Sequence, residues 1–190
     1  MKILGIDQSL SKCGFCFMVN GQPESFALSK TGASKVKTKR KDTVYYDNLS
    51  DQIHHICVDL EKHISTFNPD KITFESLSFG SVGDATRNLA CLMGALRETI
   101  IRSGWDGEVT EVAPTSLKSY AHQFVSEELK WDGVTKSGKP KKVKMDKKLM
   151  VTAAREINGQ DFLSGYNYST GLDDLVDAYF LAHKTEHDNR

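Results

Sequence analysis

Residues 3–19, ILGIDQSLSKCGFCFMV, decide how the chain is read. Ile3, Leu4 and Ile6 form the apolar run of a buried strand, yet an ionisable Asp7 stands at its end. Gly5 leaves that strand thin in the middle, the mark of a place where something approaches the backbone closely. A buried carboxylate is costly unless it is paired or binds a metal, so Asp7 is expected to hold a partner. The turn QSLSK (8–12) leads into CGFCFMV (13–19), a second strand. A further turn, GQPES (21–25), precedes FALSK (26–30), a third strand, and the three make an antiparallel meander.

Downstream the period changes. Tyr46, Leu49, Ile53, Ile56, Leu60, Ile64 and Phe67 recur at three- and four-residue steps, the pattern of an amphipathic helix that ends near FNPD. KITFES (71–76) is a short apolar strand with an acid at its end. ATRNLACLMGALRETIIRSG (85–104) is a second helix, with Leu89, Met93, Leu96 and Ile100 on one stripe and Gly104 as its stop. GEVTEVAP (107–114) is a strand, TSLKSYAHQF (115–124) a helix opened by Thr115, DKKLMVTAAREI (146–157) a helix and TGLDDLVDAYFLAHKTE (170–186) the last helix. The order predicts an α/β fold with a mixed central sheet of about five strands, an antiparallel meander first and parallel strands after, flanked by helices. No internal repeat or linker divides residues 1–190, which are expected to form one domain.

Equal numbers of bases and acids, 25 of each, conceal a strong separation. KVKTKRK (35–41) carries five bases and no acid, and KWDGVTKSGKPKKVKMDKK (130–148) carries eight lysines and two aspartates. The rest of the chain is correspondingly acidic, so two basic loops, at about 31–42 and 130–148, stand on an acidic body. Clustered bases of this kind are an electrostatic footprint for a polyanion. No apolar run approaches the ~20 residues of a membrane span, and MKILGIDQS turns polar too early for a signal peptide. Cys13, Cys16, Cys57 and Cys91 sit in apolar segments, which suits reduced thiols in a cytoplasm. Cys13 and Cys16 have a metal-site spacing, but on a strand they face opposite sides and no second pair follows. His183 and His187, four apart, read as a polar chain end, and His122 as a surface residue.

Glu75 repeats the puzzle of Asp7, because ITFES also places a carboxylate at the C-terminal end of a strand, where ligands of open α/β sheets bind. In the last helix Asp174 and Asp177 are three apart and share a face. Asp173 is four from Asp177 and also on its side, but Thr170 precedes it at capping-box spacing, which gives Asp173 a structural role at the helix start. Asp7, Glu75, Asp174 and Asp177 would together form an acidic nest that must repel, take up protons, or bind cations. Mg²⁺ suits such a site, since it takes a few carboxylates plus water and phosphate oxygens. Two such ions about 3.5–4 Å apart can activate a water and stabilise the leaving oxygen of a phosphodiester. The residues alone therefore point to a metal-dependent nuclease or phosphotransferase.

The ordered set ILGIDQSLSKCGFCFM, ITFES, ATRNLACLMGALR, EVAPTSLKSYA, KMDKKLMV and GLDDLVDAYFLAH resembles the RuvC family of Holliday-junction resolvases, in the ribonuclease H-like superfamily, and a virally encoded member is compatible with it. The resemblance implies that Asp7, Glu75, Asp174 and Asp177 bind two Mg²⁺ ions, with Mn²⁺ able to substitute. The D-x-x-D-A order selects Asp174 over Asp173. It places the family's basic residues on Lys118 and on one of Lys147 or Lys148. It further implies a homodimer that nicks opposed strands of a four-way DNA junction, with no small-molecule cofactor and no membrane. Lys37, Lys39, Arg40 and Lys41 in the first basic loop, and Lys139, Lys141, Lys142 and Lys144 in the second, are then DNA contacts. The helix from about Ala85 to Arg102, with Cys91, Gly94 and Ala95 at its margins, is the candidate dimer face.

Departures accompany the likeness. Gln8 stands where the family often has Pro, and the aromatic wedge position is Ser78, with Phe79 one later. Phe79 either stacks on an unpaired base or packs. The long basic stretches fit broader branched-DNA specificity, and a related nuclease on flaps, forks or structured RNA remains an alternative. A catalytically silent binding module of the same fold is disfavoured by the intact acid set.

Overall fold

The computed structural model describes residues 1–77 and 83–190. Three antiparallel strands come first, β1 (Lys2–Asp7), β2 (Lys12–Val19) and β3 (Gln22–Ala33). Asn20 and Gly21, both at positive φ (50° and 80°), close the β2–β3 hairpin, as its two-residue turn requires. There follow β4 (Val44–Tyr46), α1 (Leu49–Phe67), β5 (Lys71–Glu75), α2 (Asp84–Arg102), β6 (Glu108–Val112) and α3 (Pro114–Ala121). The chain ends with α4 (Glu127–Lys130), the hairpin β7 (Trp131–Val134) and β8 (Pro140–Lys142), α5 (Lys147–Asn158) and α6 (Leu172–Asp188).

The main sheet runs β4-β3-β2-β1-β5-β6, with β5 parallel to β1 and β6 parallel to β5. It is mixed as the sequence predicts, but has six strands. The added strand is β4, in which Tyr46 pairs with Ala33, so Tyr46 is not the first residue of the following helix. Asn48 caps that helix by accepting the Asp51 N–H at 2.9 Å. Nor does Thr115 open α3: Pro114 occupies its first turn, where a missing N–H has no cost. The second basic loop is partly a hairpin, and the first begins only after Ala33.

The two-residue period of the strands decides which side each residue serves. Leu4, Ile6, Cys13, Phe15, Phe17, Ile72 and Phe74 pack against Ile56, Leu60 and Ile64 of α1 and Leu92, Leu96 and Ile100 of α2. Ile3, Cys16 and Met18 belong to the opposite core, with α3, α5 and α6. Cys13 and Cys16 are therefore buried on opposite faces, which closes the metal reading of that pair. Gly5, Asp7, Gly14, Thr73 and Glu75 share the parity of Ile3 and Cys16 and lie on the α6 side. Thr73 confirms this by its 2.8 Å hydrogen bond to Thr185 of α6. Among the described residues no helix is long and apolar enough to cross a membrane.

Helix α6 is buried nearly all round, from Leu172 to Glu186. Its backbone lies directly on β1 and β2 because both strands lack a side chain there. A Cβ on Gly5 would overlap the Ala178 carbonyl and stand 2.9 Å from the Ala182 nitrogen, and one on Gly14 would stand 2.5 Å from the Asp174 carbonyl oxygen. Gly5→Ala and Gly14→Ala should each cost about 3 kcal/mol, the upper end of overpacking penalties. Gly94→Ala, where an added Cβ meets nothing within 4 Å of the single chain, should instead gain the monomer up to ~1 kcal/mol from helix propensity. Urea unfolding of the three variants checks the contrast.

Candidate active site

Asp7 ends β1, where it pairs with Gly14, and Glu75 ends the neighbouring parallel strand β5. Asp174 and Asp177 enter from the first turns of α6, which the two glycines seat over those strand ends. The resulting field is legible in the proton affinities. Burial, then the charges of Asp177, Asp174, Glu75 and Asp173, hold the Asp7 carboxyl well above its ordinary range. Burial, then Glu75 and Asp173, push Asp177 up to about 7. Glu75 is raised by burial, against the opposing charge of Lys118. Asp174 is raised by burial and Asp173, against Lys12 and Lys147.

Asp174 Oδ2 and Asp173 Oδ1 are buried without a hydrogen-bond partner. Among the described residues no three His, Cys, Asp or Glu side chains are already drawn into a metal-binding group. The acids share a field rather than a finished coordination shell. Their chemistry nonetheless fits a hard divalent cation: oxygen donors only, half-buried, mutually repelling, with an orphaned carboxylate oxygen.

Three features of the site differ from the sequence reading. Asp173 is not tied to Thr170 as a cap: Gly171 at φ 107° occupies the cap position, and Thr170 Oγ1 turns back to Asn167. Asp173 is instead buried and ion-paired with Lys147, a fifth acid at the site. Lys12, which carries no pattern in the sequence, stands with Nζ 3.7 Å from Asp174 Oδ2 and donates to the Tyr168 carbonyl at 3.0 Å. The signal that could have found it is register: Asp7 opposite Gly14 puts the residue two before Gly14 just past the end of β1. Gln8 ties the two strand ends together. Its Nε2 donates to the Glu75 carbonyl, which can only accept, so Oε1 must point the other way, and there it is buried and unpartnered.

The remaining predicted residues fall as follows. Lys118 on α3 is exposed, yet close enough to lower the proton affinity of both Glu75 and Asp177. Lys147, rather than Lys148, reaches Asp173, although both line the same cleft. Lys37, Lys39, Arg40 and Lys41 are exposed, and Arg40 donates to the Ser169 carbonyl, drawing the first basic loop toward the start of α6. Lys139, Lys141, Lys142 and Lys144 are exposed on and beside the β7–β8 hairpin. Phe79 and Ser78 lie outside the described residues. The histidines depart from expectation: His122 is buried, and His183 Nδ1 bonds the Tyr120 hydroxyl at 2.8 Å.

Residues 3–124 match the family described as Crossover junction endodeoxyribonuclease RuvC. The chain belongs to the RuvC family. Its members are metal-dependent crossover junction endodeoxyribonucleases, and the chain is an enzyme of that class. A solved structure described as T. thermophilus RuvC in complex with Holliday junction substrate matches with a TM-score of 0.61 and 13% identity, over 100% of this chain and 95% of that one. Thermus thermophilus RuvC without that description matches with a TM-score of 0.59 and 16% identity, over 100% and 96%. The yeast mitochondrial Holliday junction resolvase Ydc2 matches with a TM-score of 0.61 and 15% identity, over 97% and 77%. At these identities the structures establish the ribonuclease H-like fold. No curated protein sequence matches the chain. The family match ends before Asp174 and Asp177, whereas the structural likeness spans α6 as well.

Burial of like-charged acids sets a pH dependence for RuvC-type protein freed of divalent ions. The folded chain holds the protons of these acids more tightly than the unfolded chain does, so their contribution to stability is greatest at low pH. That contribution falls as pH rises from the ordinary Asp value of 3.8 through about 7, the value of Asp177, and goes on falling until Asp7, raised well above its ordinary range, has also ionised. Tm measured across this window should decline, and Asp177→Asn should flatten the decline. Gln8→Ala should weaken Mg²⁺ or Mn²⁺ binding, read by titration or Mn²⁺ resonance, because it frees the Glu75 strand end.

Proposed function

We propose that this enzyme resolves four-way DNA junctions as a homodimer, nicking opposed strands by hydrolysis that depends on two Mg²⁺ ions, with Mn²⁺ able to substitute. One observation carries the reading: Asp7, Glu75, Asp174 and Asp177 act on one another electrically at the point where α6 crosses the ends of two parallel strands. Those four residues would hold the ions. When bound, the ions supply an activated water and charge stabilisation for the scissile phosphodiester. Gln8 fixes the Glu75 strand end to β1. Asp173 holds Lys147 beside the acids, where its ammonium can meet a phosphate oxygen. Lys118 offsets the charge of Glu75 and Asp177.

Branched DNA is the substrate class that the surface suits. Exposed bases of the first loop and of the β7–β8 hairpin offer contacts to arms flanking the cut. The length of that hairpin favours activity on other branched DNA beside four-way junctions. A partner copy would seat on α2, whose outward side presents Cys91 and Gly94. Next to it, the apolar Ile101 (72% exposed) and Val109 (40%) flank a shallow cleft of ≈ 490 Å³ with Arg97 and Glu111. Small and apolar residues with a charged rim suit a two-fold interface. Free cysteines, two of them buried, support a cytoplasmic setting, that of the host if the source is a virus.

Labelled four-way junction, flap, duplex and single-stranded DNA, incubated with Mg²⁺, test the reading. The junction should be cut fastest, in paired nicks, and Asp7→Asn and Asp174→Asn should each lower the rate at least 100-fold, the scale expected when a metal's charge stabilisation is lost. Asp173→Asn should be milder. Near-unaltered cutting by Asp7→Asn overturns the site. Sedimentation that gives a monomer both free and on the junction overturns the dimer.

A further inference from the structure

Two clefts meet at Lys12. One, ≈ 270 Å³, lies between the end of β3 and the first basic loop, lined among others by Ser11, Lys12, Lys30, Thr31, Arg40 and Tyr45. The other, ≈ 500 Å³, is lined by Lys12, Asp146, Lys147, Lys148, Tyr168 and Asp173. Lys12 is their common wall, and its ammonium lies between the Tyr168 carbonyl and Asp174. Lys12 therefore joins the two clefts beside Asp174, and Asp173 lines the second of them.

The first cleft is chemically one-sided. Lys12, Lys30 and Arg40 line it, and Asp42, which holds Lys30 at 2.6 Å, stands beside it. Arg40 is fixed at two points, its backbone N–H donating to the Tyr45 hydroxyl at 2.6 Å and its Nη1 to the Ser169 carbonyl. A guanidinium has five N–H donors, so most of Arg40's remain for a ligand. Ser11 lines the same wall, whereas the Thr31 hydroxyl is already spent on the Leu10 carbonyl. Fixed cations suit a tetrahedral oxyanion, and the shared Lys12 makes the cleft continuous with the acids. A polynucleotide is the ligand that can present one phosphate to the acids and another to this cleft at once.

We propose that the cleft is a phosphate subsite for the cleaved DNA strand, a few nucleotides from the scissile bond, with Lys12 bridging the subsite to Asp174. This rests on the nuclease reading above and names where its strand runs. Lys12 would then exchange a carboxylate contact for a phosphate contact as the strand seats. That exchange couples strand binding to the release of an acid that the ions need.

The test is a binding cycle on the full chain with Ca²⁺ in place of Mg²⁺. Methylphosphonates, which remove one phosphate charge at a time, are placed along the cleaved strand of a four-way junction. The subsite predicts that one substitution away from the scissile position weakens binding about ten-fold, as loss of one charge-assisted contact should. Arg40→Gln and Lys30→Gln, each outside the acid cluster, should weaken unmodified DNA to a similar degree and make the salt dependence shallower by about one phosphate contact. Combined with the sensitive methylphosphonate, each variant should lose nothing further. Fully additive losses, or equal affinity in both variants with an unaltered salt slope, overturn the subsite. If the unaltered protein shows no preference for junction over linear duplex, the resolvase reading fails instead, and the same cycle on the duplex still decides the subsite.

Discussion

The close seating of α6 on β1 and β2 is the constraint on which the rest depends. Gly5 and Gly14 remove two side chains from the strands, and the helix backbone takes their place. Only at that separation do the first turns of α6 bring Asp174 and Asp177 into the field of Asp7 and Glu75. The same seating explains why α6 is buried on almost every side, with Tyr179, Phe180 and Leu181 all in the core. A helix so enclosed normally excludes charge. Its aspartates are thus charges placed at structural expense, as the proposed metal site would require.

That expense is electrostatic. Like charges held in a partly desolvated site repel more strongly than in water, and these acids answer by holding their protons more tightly. Three lysines soften the field from the rim, Lys12 at Asp174, Lys147 at Asp173 and Lys118 toward Glu75 and Asp177. None reaches Asp7, whose proton affinity is raised by every acid around it. The site therefore favours cations most strongly at its centre. Cations from side chains remain at its edge, where a phosphate can compete for them.

Much of this was legible in the sequence because it rests on period and position. Alternation along β1 and β5 places Asp7 and Glu75 on one face, and the three-residue spacing of Asp174 and Asp177 places them on another that meets it. Gly5 was readable as a point of close approach, although not what approaches. Other features depended on tertiary context. β4 has three residues and no alternation to betray it. Asp173 and Thr170 have the spacing of a capping box, but Gly171 took the cap and left Asp173 free to meet Lys147. Lys12 and Gln8 act through register and through a neighbouring strand's carbonyl, which local pattern does not encode.

The charge separation seen along the chain becomes a separation in depth. Acids of the site are buried or half-buried, whereas the bases of the first loop and the hairpin are exposed. Two basic segments far apart in the sequence converge on one short segment. Arg40 reaches the Ser169 carbonyl from the first loop, and Lys147, just after the hairpin, reaches Asp173. An approaching polyanion thus meets positive charge first, which draws it in over a distance limited by salt screening. It meets the acids only after the lysines at their rim have been engaged. A chain with no net charge can in this way present positive charge to a polyanion and still keep a concentrated negative pocket for cations.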